Sequence, residues 1–282
     1  MIHNKESIPA IIGSTIGMAG SLIFILVYLF LKEIQDSARK FIFILSIYDF
    51  FLAFFAILPG PSSSGLCKFQ GFALGFIFTA SFSLIFLTSL VFYLKICYAK
   101  NVDESKKFFI IGNFVVFLIS LIIAIIYIIF GKIGPGSTHW CWVTEVKLGP
   151  VNYSVIWFDL LGTIILYSIT FFKLRKDPKY PKSFQYKIFA LGWIYLVTQI
   201  WSSIKRIREL MNPNAPNNLF LDVMQSLAAP MLGIWDAVFF VFFDKNVRSL
   251  LKFKFKKRKY GELNPSIGNL TMTKVLVDTN DI

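Results

Sequence analysis

The sequence predicts an all-α fold: a bundle of seven transmembrane helices with its N-terminus outside, its C-terminus in the cytosol and a short interfacial helix after helix seven. Three observations predict it: the composition, the spacing of the uncharged runs and the placement of the basic residues. Of 282 residues, 56% are hydrophobic and 16% charged, and mean hydropathy is +0.64, far too little charge for a soluble chain of this length. The formal net charge of +13 raises nucleic acid as a partner. The basic residues, however, sit in short clusters between apolar runs instead of along one solvated face, so no nucleic-acid role is expected.

Crossing a hydrocarbon core of ~30 Å takes ~20 helical residues. Seven runs serve: 8–31, 41–58, 69–96, 108–130, 151–172, 188–204 with its helix continuing to 210, and 219–243. The second is short and contains Asp49, and the sixth runs on into Lys205, Arg206 and Arg208. All are rich in Phe, Ile and Leu and lack the alternating segments of a membrane barrel, so helices are the reading. Residues 1–243 then form one seven-helix domain, 244–260 a basic juxtamembrane segment and 261–282 a cytosolic tail. No internal repeat or separate globular domain is visible.

Orientation follows from lysine and arginine. Segments 32–40, 95–107, 173–187 and 244–260 carry 21 of the 29 basic residues. By the positive-inside rule these segments are cytosolic, which places the N-terminus outside and requires an odd number of spans. The first apolar run is too long for the core of a cleavable signal peptide and is expected to remain as helix one.

Three cysteines check that assignment. Cys67, before the third helix, and Cys141, after the fourth, both fall outside, where disulfides persist, while Cys97 falls in the reducing cytosol. A Cys67–Cys141 bridge is therefore expected across the top of helix three, worth ~2 to 4 kcal/mol; two free thiols are the alternative.

Charged groups within the spans need partners. Asp49 lies three residues after Ser46 on one helical face, with Asn113 a further polar neighbour, and serves as a structural hub or a switch. Asp159 and Asp236 are expected to pair with Lys205 and Arg206, leaving a polar cavity beneath the Trp140-Cys141-Trp142 connector. Lys205 and Arg208 also read simply as basic side chains reaching for the interface. Pro230 and Gly233 lie inside helix seven, where proline removes a backbone donor and kinks the helix, as a hinge or as a static bend.

Several motifs carry a family resemblance. Trp140-Cys141-Trp142, Phe184-Gln185-Tyr186-Lys187 leading into helix six, Arg206-Ile207 ending it, and Gly233 with Trp235 in helix seven resemble the cyclic-AMP receptor and cyclic-AMP receptor-like family of G-protein-coupled receptors (class E, social amoebae). Cys67-x-x-Gln70-Gly71 and Ser46-x-x-Asp49 fit the wider receptor group. The resemblance implies a plasma-membrane receptor that passes an extracellular small-ligand signal to a heterotrimeric G protein, the ligand being cyclic AMP or another anionic molecule. It makes Arg206 the expected ligand contact, because its planar fork suits a phosphate. Lys205, Asp159, Asp236 and Trp142 are further ligand-site candidates. Asp49, Ser46, Pro230, Gly233 and Trp235 are switch candidates, and Lys173, Arg175, Lys176 and Lys187 are expected G-protein contacts.

The juxtamembrane segment sets Leu250, Leu251, Phe253 and Phe255 among basic residues, the pattern of a segment held by anionic lipid. Ser266, Thr271 and Thr273 are candidate phosphorylation acceptors, and Asn152 and Asn269 open glycosylation sequons. Other classes fare less well. Helix seven has no lysine for a retinal Schiff base. With His3 and His139 the only histidines and no metal-spacing, nucleophile or phosphate-loop motif, neither an enzyme, a metal site nor a cofactor is expected. A seven-helix transporter or channel, or a receptor working without a G protein, remains the alternative, although no inverted repeat is visible.

Overall fold

A computed structural model describes residues 4–35, 37–60, 64–98, 106–130, 133–135, 140–143, 149–177, 182–212 and 218–261. Among them the chain is almost entirely helical. In order come α1 (Asn4–Phe30), a 3-10 turn at Lys32–Ile34, α2 (Ser37–Ile57), α3 (Ser64–Tyr98) and α4 (Lys106–Phe130). Two short strands, β1 (Ile133–Pro135) and β2 (Cys141–Val143), precede α5 (Gly149–Lys176) and α6 (Lys182–Met211). The last apolar stretch is α7 (Leu219–Ala228), a 3-10 turn at Ala229–Met231, α8 (Leu232–Ala237) and a π turn at Val238–Phe242, and α9 (Lys245–Gly261) follows.

Among the described residues, six helical stretches are long and apolar enough to cross a membrane: α1 to α5 and the composite 219–242. The sixth apolar run forms α6, which is 30 residues long and is not among those six. Most helices extend past the apolar runs, because helical hydrogen bonding continues into polar flanks where hydropathy falls off. The composite seventh stretch breaks where proline dictates: Pro230 has no N–H to donate, and the chain tightens into a 3-10 turn there.

The helices form a closed ring of neighbours, α1 against α2, α2 against α3, α5 against α6, and α6 against α7, with α1 closing it on α7 and α8. α3 lies innermost, touching α2, α4, α5 and both strands, and its Phe82, Leu84, Ile85 and Val91 are buried. α4 sits at the periphery and leaves Phe114, Val115, Phe117 and Leu118 exposed, an apolar surface that lipid satisfies and water would not. The α1–α7/α8 seam is the tightest. A Cβ on Gly17 would stand 1.9 Å from the Pro230 carbonyl oxygen, and one on Gly20 would stand 2.3 Å from the Ile234 Cα, so only glycine permits that backbone approach.

α9 is amphipathic and tied to the bundle. Val247 joins Phe24, Tyr28, Leu31 and Ile34 in a second apolar cluster, and Arg39 pairs with Asp244 at 3.0 Å, Lys254 with Glu33 at 3.0 Å. Burial pushes the Glu33 carboxyl up, but its own backbone hydrogen bond and Lys254 outweigh that and hold it below its ordinary value. The candidate phosphorylation acceptors, the Asn269 sequon and the prolines Pro178 and Pro181 between α5 and α6 lie outside the described residues.

Candidate functional site

The connector after α4 folds back as an antiparallel pair in which Pro135 faces Cys141, Gly134 faces Trp142 and Ile133 faces Val143. Cys141 is bonded to Cys67 at the start of α3, with Cα atoms 5.4 Å apart. The short Cys67-x-x-Gln70-Gly71 motif acts as one device around this hairpin. Gln70 accepts from the Cys141 N–H at 3.0 Å and donates to the Phe55 and Leu58 carbonyls at 2.9 and 2.8 Å. It thereby ties the hairpin, α3 and the end of α2 together. Gly71 leaves room for Ile133, whose Cγ2 would stand 2.5 Å from any Cβ there. Both faces of the first turns of α3 are thus committed to holding the hairpin down.

The hairpin's aromatics point inward. Trp140 and Trp142 are 5% and 8% exposed, so they cover the bundle instead of resting at its rim, and Trp142 meets Phe78 edge to face at 6.1 Å. Beneath them lies a small cleft walled by Leu52 and Ala56 of α2, Leu74 of α3, Tyr153 of α5 and Gln225 and Pro230 of the α7 stretch. Its interior has room for water and not for a nucleotide. Gln225 brings a buried amide oxygen with no hydrogen-bond partner to this otherwise apolar lining.

The expected charge pairing is corrected here. Lys205 does not meet Asp159 or Asp236; it pairs with Asp222, both side chains nearly fully buried. Arg206 pairs with Glu209 one turn on and lies over the Tyr153 ring at 5.5 Å. Asp159 accepts from Ser83 at 2.6 Å, and Asp236 from Ser46 at 2.6 Å. The reason is depth. Asp222 and Asp236 are fourteen positions apart along one stretch, ~21 Å of rise at 1.5 Å per residue, so a side chain level with the first cannot reach the second. The Asn113 amide donates to the Phe109 carbonyl of its own helix at 2.7 Å, and neither Asp49 oxygen accepts a hydrogen bond.

Asp222, Glu209, Gln225 and Tyr153 are the residues that sequence reasoning passed over. Two had readable signals. Glu209 stands at i+3 from Arg206, a helical ion-pair spacing. Asp222 follows Asn218, whose side chain accepts from the N–H groups of Phe220 and Leu221 as a helix cap, and so sits in the first turn of α7, across from the charged end of α6. Of the switch candidates, Gly233 packs on α1, where a Cβ would stand 1.8 Å from the Ser21 Oγ. Trp235 is half-buried, its indole N–H without a partner. Lys173, Arg175 and Lys176 are exposed at the end of α5, and Lys187 lies near the start of α6.

Fold and site together define a multi-pass helical membrane protein with a disulfide-tethered aromatic hairpin over a cleft between its helices. The comparison with characterised proteins is specific. The chain is 25% identical over 240 residues, 83% of its length, to Cyclic AMP receptor-like protein A of Dictyostelium discoideum, and the match spans 63% of that protein. This likeness agrees with the family that its motifs resemble. No protein-family model matches it.

Proposed function

We propose that the chain is a seven-span receptor, N-terminus outside, in which α6 supplies the remaining span and the cleft beneath Trp140 and Trp142 receives an extracellular small ligand. The reading rests above all on the Cys67–Cys141 tether, which holds an aromatic lid over a cleft shared by α2, α3, α5 and α7. The relative's name supports a receptor role and makes cyclic AMP or another small anion the first ligand class to try. Arg206 is the proposed anion contact: its guanidinium rests on Tyr153, a residue of the cleft wall, and a phosphate offers it a bidentate partner where Glu209 now meets Nη1. Lys205 is matched by Asp222 and in this reading fastens α6 to α7.

A nucleotide is larger than the cleft, so binding requires α6 and α7 to shift against the tethered hairpin. A ligand that favours the opened arrangement shifts the population toward it. Pro230 and Gly233 provide the bend about which the lower stretch turns, and the exposed Lys173, Arg175 and Lys176, with Lys187, form the proposed face for a heterotrimeric G protein. The basic residues of α9 are proposed to rest on anionic lipid. Nucleotide exchange on a purified G protein, driven by the purified receptor under a panel of cyclic nucleotides and other small anions, tests the reading. Ligand-dependent acceleration is expected, and none across the panel would refute coupling.

A further inference from the structure

Two ion pairs stand side by side near the C-terminal end of α6, and they are built differently. Lys205 and Asp222 join α6 to α7, with side chains 8% and 1% exposed. Arg206 and Glu209 both lie on α6, three residues apart, with side chains 13% and 30% exposed. The first pair cannot part without separating two helices and stranding two buried charges. The second can. Glu209 needs only a change of rotamer to turn its carboxylate outward at the helix end, where Leu210 and Met211 are exposed, and a pair so placed is held weakly.

Arg206 keeps its place without Glu209. Its guanidinium rests on the Tyr153 ring at 5.5 Å. One turn earlier on α6, Ser203 accepts from the Trp157 indole N–H of α5 at 2.9 Å, and Trp157 packs on Tyr153 with ring centroids 6.0 Å apart. α5 thus fixes both the platform and the stretch of α6 that carries the arginine. The Nε N–H is buried and has no hydrogen-bond partner among the described residues. An incoming anion therefore meets the fork from its Nη side, the side on which Glu209 now meets Nη1.

We propose that Glu209 is a built-in competitor for the ligand's anionic group: it occupies Arg206 in the unliganded protein, and a ligand binds by displacing it. This rests on the reading of Arg206 as the anion contact and adds what sets the sensitivity of that contact. One counter-charge is exchanged for another, so the guanidinium is never left bare, and the ligand gains only the excess of its own contact over that of Glu209. The arrangement also selects among anions. A chloride ion is a single point of charge, whereas a phosphate brings two oxygens spaced to match the fork and outbids a carboxylate held at one nitrogen. A carboxylate that merely oriented Arg206 would weaken binding when removed; a competitor strengthens it.

The test uses the full chain in nanodiscs and two probes, cyclic AMP and inorganic phosphate, with ionic strength held constant by sodium chloride. The readout is the probe concentration needed for a given rise in melting temperature, which scales with the dissociation constant. Glu209→Gln is expected to lower that concentration about two- to fivefold, the equivalent of one partly exposed ion pair. Arg206→Ala should abolish the rise in both backgrounds. An Arg206-dependent rise whose concentration is unchanged or higher in Glu209→Gln would overturn the inference and leave Arg206 as the anion contact. No Arg206-dependent rise with either probe, in wild type or in Glu209→Gln, would overturn both. Should Glu209→Gln fail to fold, Glu209→Asp decides, because it keeps the charge and shortens its reach: a lower concentration is expected, and an unchanged one would contradict displacement.

Discussion

Two buried polar regions solve the same electrostatic problem in opposite ways. At the hairpin end of the bundle two acids have bases: Asp222 holds Lys205, and Glu209 holds Arg206. In the middle, Asp236 accepts from Ser46, and the buried Asp49 oxygens have no hydrogen-bond partner. Matched pairs are strong only while both partners remain, so the first region is a fastener whose failure is abrupt. The central carboxyls have no basic partner among the described residues, so nothing fastens them in that way. The contrast separates an ion-paired seam that holds helices together from a central region held by hydroxyl hydrogen bonding.

Breaking the fastener should have the largest effect. Asp222→Leu leaves Lys205 buried without its carboxylate and is expected to destabilise the protein by about 3 to 5 kcal/mol, read as a fall in melting temperature in detergent. Adding Lys205→Met should recover most of that loss, and failure to recover it would show that the pair does not act as a unit. Cys141→Ser comes next. Freeing the hairpin should cost about 2 to 4 kcal/mol and abolish the non-reducing mobility shift on gels. Asn218→Ala removes the cap that sets the start of α7 and thereby the level of Asp222, a loss of about 0.5 to 2 kcal/mol in the same melting assay. The smallest effect lies at α9. Glu33 is held below its ordinary value, so its pairing with Lys254 contributes above the ordinary carboxyl range and is lost as pH falls through the lowered value. Hydrogen exchange in α9 should rise slightly there and be flat in Lys254→Ala.

The contrast also marks what the sequence made legible. Uncharged runs located the helices because membrane burial demands long apolar stretches, and compartment sorting of Cys67, Cys141 and Cys97 picked out the bonded pair. Pro230 marked the break in the seventh stretch through its missing donor. The short β1–β2 pairing was not readable, since three-residue strands carry no periodicity. Charge partners were misassigned for a related reason. Sequence shows which faces are polar, but not the depth at which helices from distant parts of the chain stand level, and that depth sent Lys205 to Asp222 and Ser46 to Asp236. Glu209, three residues from Arg206, was within reach of sequence reasoning.

The central claim is that the tethered cleft binds an anionic ligand through Arg206. The direct measurement is the ligand concentration dependence of nucleotide exchange for Arg206→Ala beside wild type, at equal surface expression and melting temperature. The account predicts that the response disappears or shifts to much higher ligand concentration. A curve superimposable on wild type at every concentration would contradict it.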